Sequence, residues 1–193
     1  MKIENRVGDW IETYTGKKLY PLDPRTEEIC IKDIAHALSL MTRFNGHGRY
    51  FYSVAQHSLN VMFAAESDGH SKDIQLKCLL HDASEAYIAD IVSPAKRFMP
   101  EYKKIEEQLQ NTIWKTFGIE VTEEDEEIIK FYDLAMLGLE AKTMMYCKNW
   151  DITNTYLIEL NEKQPLEIIN LKQEDMEVIE SRFLSAFNYL MLR

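Results

Sequence analysis

Glycine and proline are scarce in this chain, at 7 and 5 of 193 residues. So little punctuation suits long helices and argues against a turn-rich β fold. Cysteine is scarce as well. Cys30, Cys78 and Cys147 are odd in number, far apart and never form C-x-x-C. They read as reduced thiols of a cytoplasmic protein. No apolar run is long enough to span a membrane, since the most apolar stretch, Leu134 to Met145, is broken by Glu140 and Lys142. Residues 1–10 are polar and carry no apolar signal-peptide core. There is no GxxxxGK and no GxGxxG, which leaves kinase, P-loop and dinucleotide readings without support. Positive charge is in short supply: 22 Lys and Arg stand against 32 Asp and Glu, for a net charge of −10. That balance opposes a nucleic-acid polymer or an anionic membrane as partner. A small anionic substrate is still compatible, because a metal and a nearby Arg or Lys reverse the field inside a pocket.

What is present is 46% hydrophobic and 28% charged residues, ordinary for one globular domain with a real core. The expected domain is the whole chain, 1–193, with a core over about 30–148 and a C-terminal helix over about 173–192. Residues 9–23 alternate bulky side chains around Thr15-Gly16 and predict a short N-terminal hairpin or arm. Helices are predicted over Ile31–Arg43, from a Ser53 cap to about Glu66, and over Lys72–Asp90. Further helices are predicted over Tyr102–Phe117, from Thr122 to about Cys147, and over Gln173–Leu192. Asn45-Gly46-His47-Gly48 reads as a loop, Ser67 to Ser71 as a linker, and Ser93-Pro94 as a stop or turn. Residues 149–172 read as irregular or partly helical. The fold class expected is all-α, with about six or seven helices.

Within the Lys72–Asp90 segment stands Leu79-Leu80-His81-Asp82-Ala83-Ser84-Glu85. An ionised aspartate beside two leucines is costly unless it is paired or bound to a cation, and a divalent metal also uses the neighbouring imidazole. Glu85 follows His81 by four residues and shares its face of a helix. His57 lies on the preceding amphipathic helix, joined by a short linker that favours antiparallel packing. Asp133 falls on the apolar side of a later helix, between Ile129 and Leu137. His57, His81, Asp82 and Asp133 would offer two nitrogen and two oxygen donors, a set suited to Mn, Fe, Co, Ni or Zn. Each also has a plain alternative. His57 could be a satisfied core histidine, Asp82 a helix cap, and Asp133 the partner of an arginine. Glu85 and Asp90 could be solvated. Spacing alone leaves the metal and the structural readings open. His36, His47 and His70 have weaker cases.

His57, then Leu80-His81-Asp82 with Glu85, then Asp133, resembles the H…HD…D signature of the HD-domain metal-dependent phosphohydrolases. The similarity extends to Asp33-Ile34-Ala35-His36-Ala37-Leu38-Ser39, to Arg43-Phe44-x-Gly46-His47 and to Tyr52-Ser53-Val54-Ala55-Gln56-His57-Ser58. Through these motifs, over about residues 9–145, the chain is similar to the subgroup of bacterial 5′-deoxynucleotidases and phage dATP triphosphohydrolases. The family usually has Glu where Gln56 stands. There is no H-D-x-x-E-D run as in ppGpp hydrolases, and no G-Y-P element as in cyclic-di-GMP phosphodiesterases, so a single metal ion is implied.

The resemblance implies an HD-domain helical bundle that hydrolyses a phosphate bond of a (deoxy)nucleotide. His57, His81, Asp82 and Asp133 would bind one divalent ion (Mn, Co, Fe, Ni, Zn or Mg). Glu85 would position or deprotonate the attacking water. Arg43, whose planar fork suits a phosphate, would hold one of its oxygens. Asp90 would face the sugar hydroxyl, Lys96 would add a second phosphate contact, and His47 would line the pocket mouth or only pack. The expected partner is the small-molecule nucleotide. A homo-oligomer is implied by relatives that are commonly dimers or larger. Trp10, Tyr14 and Tyr20 would shape a base pocket or simply pack. The rival expectation is a non-catalytic regulatory or binding module that keeps the helices and uses the metal for structure alone.

Overall fold

The computed structural model describes residues 6–146 and 168–192. Its architecture is all-α, with a two-stranded hairpin ahead of the helices. Strands β1 (Ile11–Glu12) and β2 (Lys18–Leu19) pair antiparallel, with Ile11 opposite Leu19. Gly16 takes a φ of +78° in the turn, a conformation that costs glycine little. The hairpin is fastened to α1 (Ile31–Leu40), because the buried Asp33 carboxylate accepts from the Thr15 N–H at 2.7 Å and from its hydroxyl at 3.0 Å. The arm's aromatics are engaged locally. Tyr14 stacks on His36 at 3.6 Å, while Trp10 and Tyr20 lie under Lys18 and Arg6.

Helix α1 ends at Leu40 instead of Arg43. Met41 and Thr42 are extended there: the Val54 N–H reaches the Met41 carbonyl at 2.9 Å, and Thr42 bridges Ser53. This bridge sets Arg43 beside the start of α2 (Val54–Ser67). The Ser53 hydroxyl accepts from the Gln56 N–H at 3.1 Å, as its sequence predicts. The Gln56 amide does not return the bond. It donates to the Asn170 and Lys172 carbonyls at 3.1 and 2.8 Å, a task for an amide that a glutamate could not perform.

Helix α3 (Lys72–Leu80) stops before His81 and does not run on to Asp90. From Leu80 to Tyr87 the backbone closes shorter turns: Ala83 N–H to Leu80 O, Glu85 to Asp82 and Tyr87 to Ser84, at 3.0–3.1 Å. The cause is a side chain inserted in the ladder. Gln110 Oε1 accepts from the Ser84 N–H at 3.0 Å, and its Nε2 donates to the Leu80 carbonyl at 2.9 Å. It stands where the bond from Ser84 to Leu80 would close. The single-turn helix α4 (Glu85–Ile88) follows and ends at Ala89, which has a φ of +72°. Ser93-Pro94 opens the short α5 (Ser93–Lys96), with proline in the first turn where its missing N–H costs nothing.

Helix α6 (Pro100–Phe117) buries Leu109 and Ile113 from its apolar stripe and stops at Gly118, which is left-handed. Helix α7 (Glu123–Met144) is capped reciprocally by Thr122 and Asp125. Cys147, the expected end of this helix, and most of the stretch 149–172 lie outside the described residues. Helix α8 (Met176–Met191) starts after an Asp175 cap, slightly inside its expected bounds. Helices α2 and α3 pack on each other and both touch α7 and α8, while α8 also lies against α1. Leu59, Leu79, Leu80, Met136 and Phe183 fill the space between them. Full burial of a leucine is worth about 1.5–3 kcal/mol, so Leu79 and Leu80 anchor the end of α3 where the His81-Asp82 pair begins. No described helix is long and apolar enough to cross a membrane.

Candidate metal centre

His57 projects from the N-terminal part of α2, His81 and Asp82 from the break after α3, and Asp133 from the middle of α7. His57, His81 and Asp82 present ligand atoms that lie within 4.8 Å of one another, a group able to hold a metal ion. The two rings stand 5.2 Å apart. The His57 Nδ1 is 2.7 Å from Glu140 Oε1. A carboxylate that also receives an arginine is an acceptor, so Nδ1 carries the proton and Nε2 offers its lone pair. His81 repeats the arrangement with its Nδ1 2.8 Å from the Cys78 carbonyl, which can only accept.

Both Nε2 atoms therefore aim at one place. His57 Nε2 lies 3.1 Å from Asp133 Oδ1 and 3.8 Å from Asp82 Oδ2. His81 Nε2 lies 3.2 Å from Asp82 Oδ2 and 3.8 Å from Asp133 Oδ1. Both nitrogens are buried without a hydrogen-bond partner. Imidazole lone pairs facing carboxylates repel unless positive charge intervenes. The surrounding carboxylates make this spot strongly attractive to positive charge, whether a proton or a metal ion. Burial and Arg43 push the His57 imidazole down, yet Glu140 and Asp133 hold it above its usual range. Burial likewise opposes the charge on His81, and Asp82 and Asp133 outweigh it by more. Burial alone would raise Asp82, but His81 and His57 draw it down to about 2. Asp133 is held well below the carboxylate range: its burial is outweighed by the two histidines that face it. With a cation in place of a proton there, two imidazole nitrogens and the carboxylate oxygens would form a donor set that fits a divalent transition metal.

Arg43 reaches the cluster from the turn after α1. Its Nε donates to Glu140 Oε2 at 3.1 Å, and its Nη1 is 3.7 Å from Asp82 Oδ2. Burial opposes its charge, but Glu140, Asp82, Asp133 and Glu85 together raise its pKa. Glu85 is buried, with Oε2 unpartnered. Burial, then Asp82 and Asp90, lift its carboxyl well above the usual range, which makes it a stronger proton acceptor near neutrality.

No family model matches the chain. It is 36% identical over 135 residues to the uncharacterized protein YfdR of Escherichia coli K12, an alignment covering 70% of this chain and 72% of that protein. The chain belongs to the YfdR family. An uncharacterized protein of Rhodobacter capsulatus is 37% identical over 115 residues, covering 57% of this chain and 59% of its own length. The names of these YfdR relatives state no activity.

In this member of the YfdR family, the remaining candidates stand outside the group of His57, His81 and Asp82. Asp90 is half-buried, and its carboxyl is raised by burial against the pull of Arg43, with Asp82 adding to the rise. Lys96 pairs with Glu106 on α6, and its charge is still felt by Glu85 and Asp82. His47 is exposed at the end of the Arg43 turn and does not join the cluster. Sequence reasoning missed Glu140, which it took only as a charge breaking an apolar helix. Glu140 is 0% exposed. Its signal was its spacing, seven residues after Asp133, two helical turns along the same face.

Proposed function

We propose that this protein is an HD-family, divalent-metal-dependent phosphohydrolase of (deoxy)nucleotides. The observation that carries the reading is the convergence of two imidazoles, each engaged through Nδ1, on Asp82 and Asp133, beside Arg43 and the buried Glu85 with its unpartnered Oε2. The ordered H…HD…D motifs support the same class. His57, His81, Asp82 and Asp133 would hold the ion, which supplies a Lewis acid and an acidified water when bound. Glu85 takes the proton from the attacking water through Oε2. Arg43 binds a phosphate oxygen and stabilises the charge that grows on it. Asp90 orients the sugar, and Lys96, steadied by Glu106, adds positive potential at the mouth. Reduced Cys30 and Cys78 suit a cytoplasmic setting, where nucleotide substrates are found.

Two cleavages are open to such a site: removal of phosphate from a deoxynucleoside monophosphate, or of triphosphate from a deoxynucleoside triphosphate. The test incubates the full chain, loaded with Mn²⁺ or Co²⁺, with the four monophosphates and four triphosphates, and reads products by mass spectrometry. Phosphate or intact triphosphate is the expected product, lost in Glu85→Ala while bound metal and fold persist. No product from any nucleotide would favour a metal-stabilised, non-catalytic module.

A further inference from the structure

We propose that Glu140 is a positioning residue, fixing the His57 tautomer that presents Nε2 to a divalent cation, with Arg43 locking the orientation of its carboxylate. The role rests on the metal site read above. Glu140 lies two turns beyond Asp133 on α7, fully buried. One oxygen faces His57 Nδ1 at 2.7 Å and the other the Arg43 Nε at 3.1 Å. Asn60 Nδ2 donates to Tyr52 Oη at 2.8 Å, so the phenolic proton is free to point at Glu140. A carboxylate buried this deeply, with every partner a donor, has no freedom to turn.

Replacement by glutamine tests the argument because the shape barely changes while one acceptor becomes a donor. The arginine Nε–H cannot switch roles, so the amide oxygen stays with Arg43 and the NH₂ turns to His57. Nδ1 must then accept, and the ring proton moves to Nε2, the atom aimed at the cation. Removal of an outer carboxylate behind a histidine ligand costs about 10–100-fold in metal affinity.

The experiment measures Zn²⁺ affinity by chelator competition for the full chain and for Glu140→Gln, with circular dichroism reporting the fold. The expected result is a loss of about 10–100-fold with the helical signal kept. Affinity within twofold of the unmodified chain overturns the proposal. A second measurement needs no variant: long-range ¹H–¹⁵N spectra of the Zn²⁺-loaded, unmodified chain report which His57 nitrogen carries hydrogen. Hydrogen on Nδ1 with zinc on Nε2 is expected, and zinc on Nδ1 overturns it. Neither readout involves a nucleotide. A chain that hydrolyses none would sink the phosphohydrolase reading while these two results still decide the role of Glu140.

Discussion

Gln110 holds the backbone that carries His81 and Asp82, and Gln110→Met measures what that is worth. Methionine keeps the length and apolar volume but removes both side-chain hydrogen bonds, to the Leu80 carbonyl at 2.9 Å and from the Ser84 N–H at 3.0 Å. A typical protein hydrogen bond is worth about 0.5–1.5 kcal/mol net, and a stranded buried partner adds to the loss. Two bonds in a half-buried setting give about 1–3 kcal/mol. For a domain of this size that lowers the melting temperature by roughly 2–12 °C. Urea unfolding in excess EDTA, followed by helical circular dichroism, gives the difference free of any metal contribution. On the proposed metal reading, repetition with Mn²⁺ should show a smaller metal-induced stabilisation in the variant, because His81 and Asp82 at the turn are less well held. A loss under about 0.5 kcal/mol, less than one typical hydrogen bond, with unchanged metal stabilisation, would refute the reasoning. It would mean that Ser84 regains the Leu80 carbonyl unaided, so that Gln110 occupies the break without causing it.

Two further perturbations probe other parts of the molecule. Arg43→Lys keeps the charge but loses the planar fork; under the proposed phosphohydrolase activity, kcat/KM should fall at least about tenfold, near 1.4 kcal/mol of transition-state stabilisation, and an unchanged value would remove Arg43 from the proposed phosphate binding. Burial would raise the Asp125 carboxyl, but hydrogen bonds from the buried Lys77 ammonium and from Thr122 outweigh it and lower its pKa. That stabilisation is complete above the ordinary carboxylate pKa of about 3.9 and fades as pH falls through the lower folded value. The stability gap between the unmodified chain and Asp125→Asn should therefore be constant from neutrality to about pH 5 and narrow below pH 4; a gap independent of pH would show that the charge contributes nothing.

Much of the frame was legible because it depends on local signals. Thin glycine and proline content foretold the helices, and Ser53, Thr122 and Gly118 mark real helix ends. The Thr15-Gly16 turn is equally local. The break after Leu80 was not legible, since it comes from a glutamine on α6, 30 residues from the carbonyl it holds. Propensity along Lys72–Asp90 contains no trace of it. Arg43 likewise gained its place from an extended bridge between Thr42 and Ser53 that helical periodicity cannot express. That His57, His81 and Asp82 come together could be anticipated from their motifs, but their protonation could not. That is set by Glu140 and the Cys78 carbonyl, partners visible only after packing.

The contact of α8 with α1, α2 and α3 has a kinetic consequence. Phe183, fully buried, belongs to the last element of the chain described, yet it completes a core begun before residue 40. Closing a connection that long costs only about 0.6 kcal/mol more than one half its length. In time it costs more, because folding slows as contacts become distant in sequence. During synthesis α2 and α3 emerge with an apolar side bare until α8 arrives. His57 on α2 and His81 just past α3 would thus settle into their clustered geometry among the last events of folding, and, on the proposed metal reading, a chain arrested before Phe183 should hold zinc weakly.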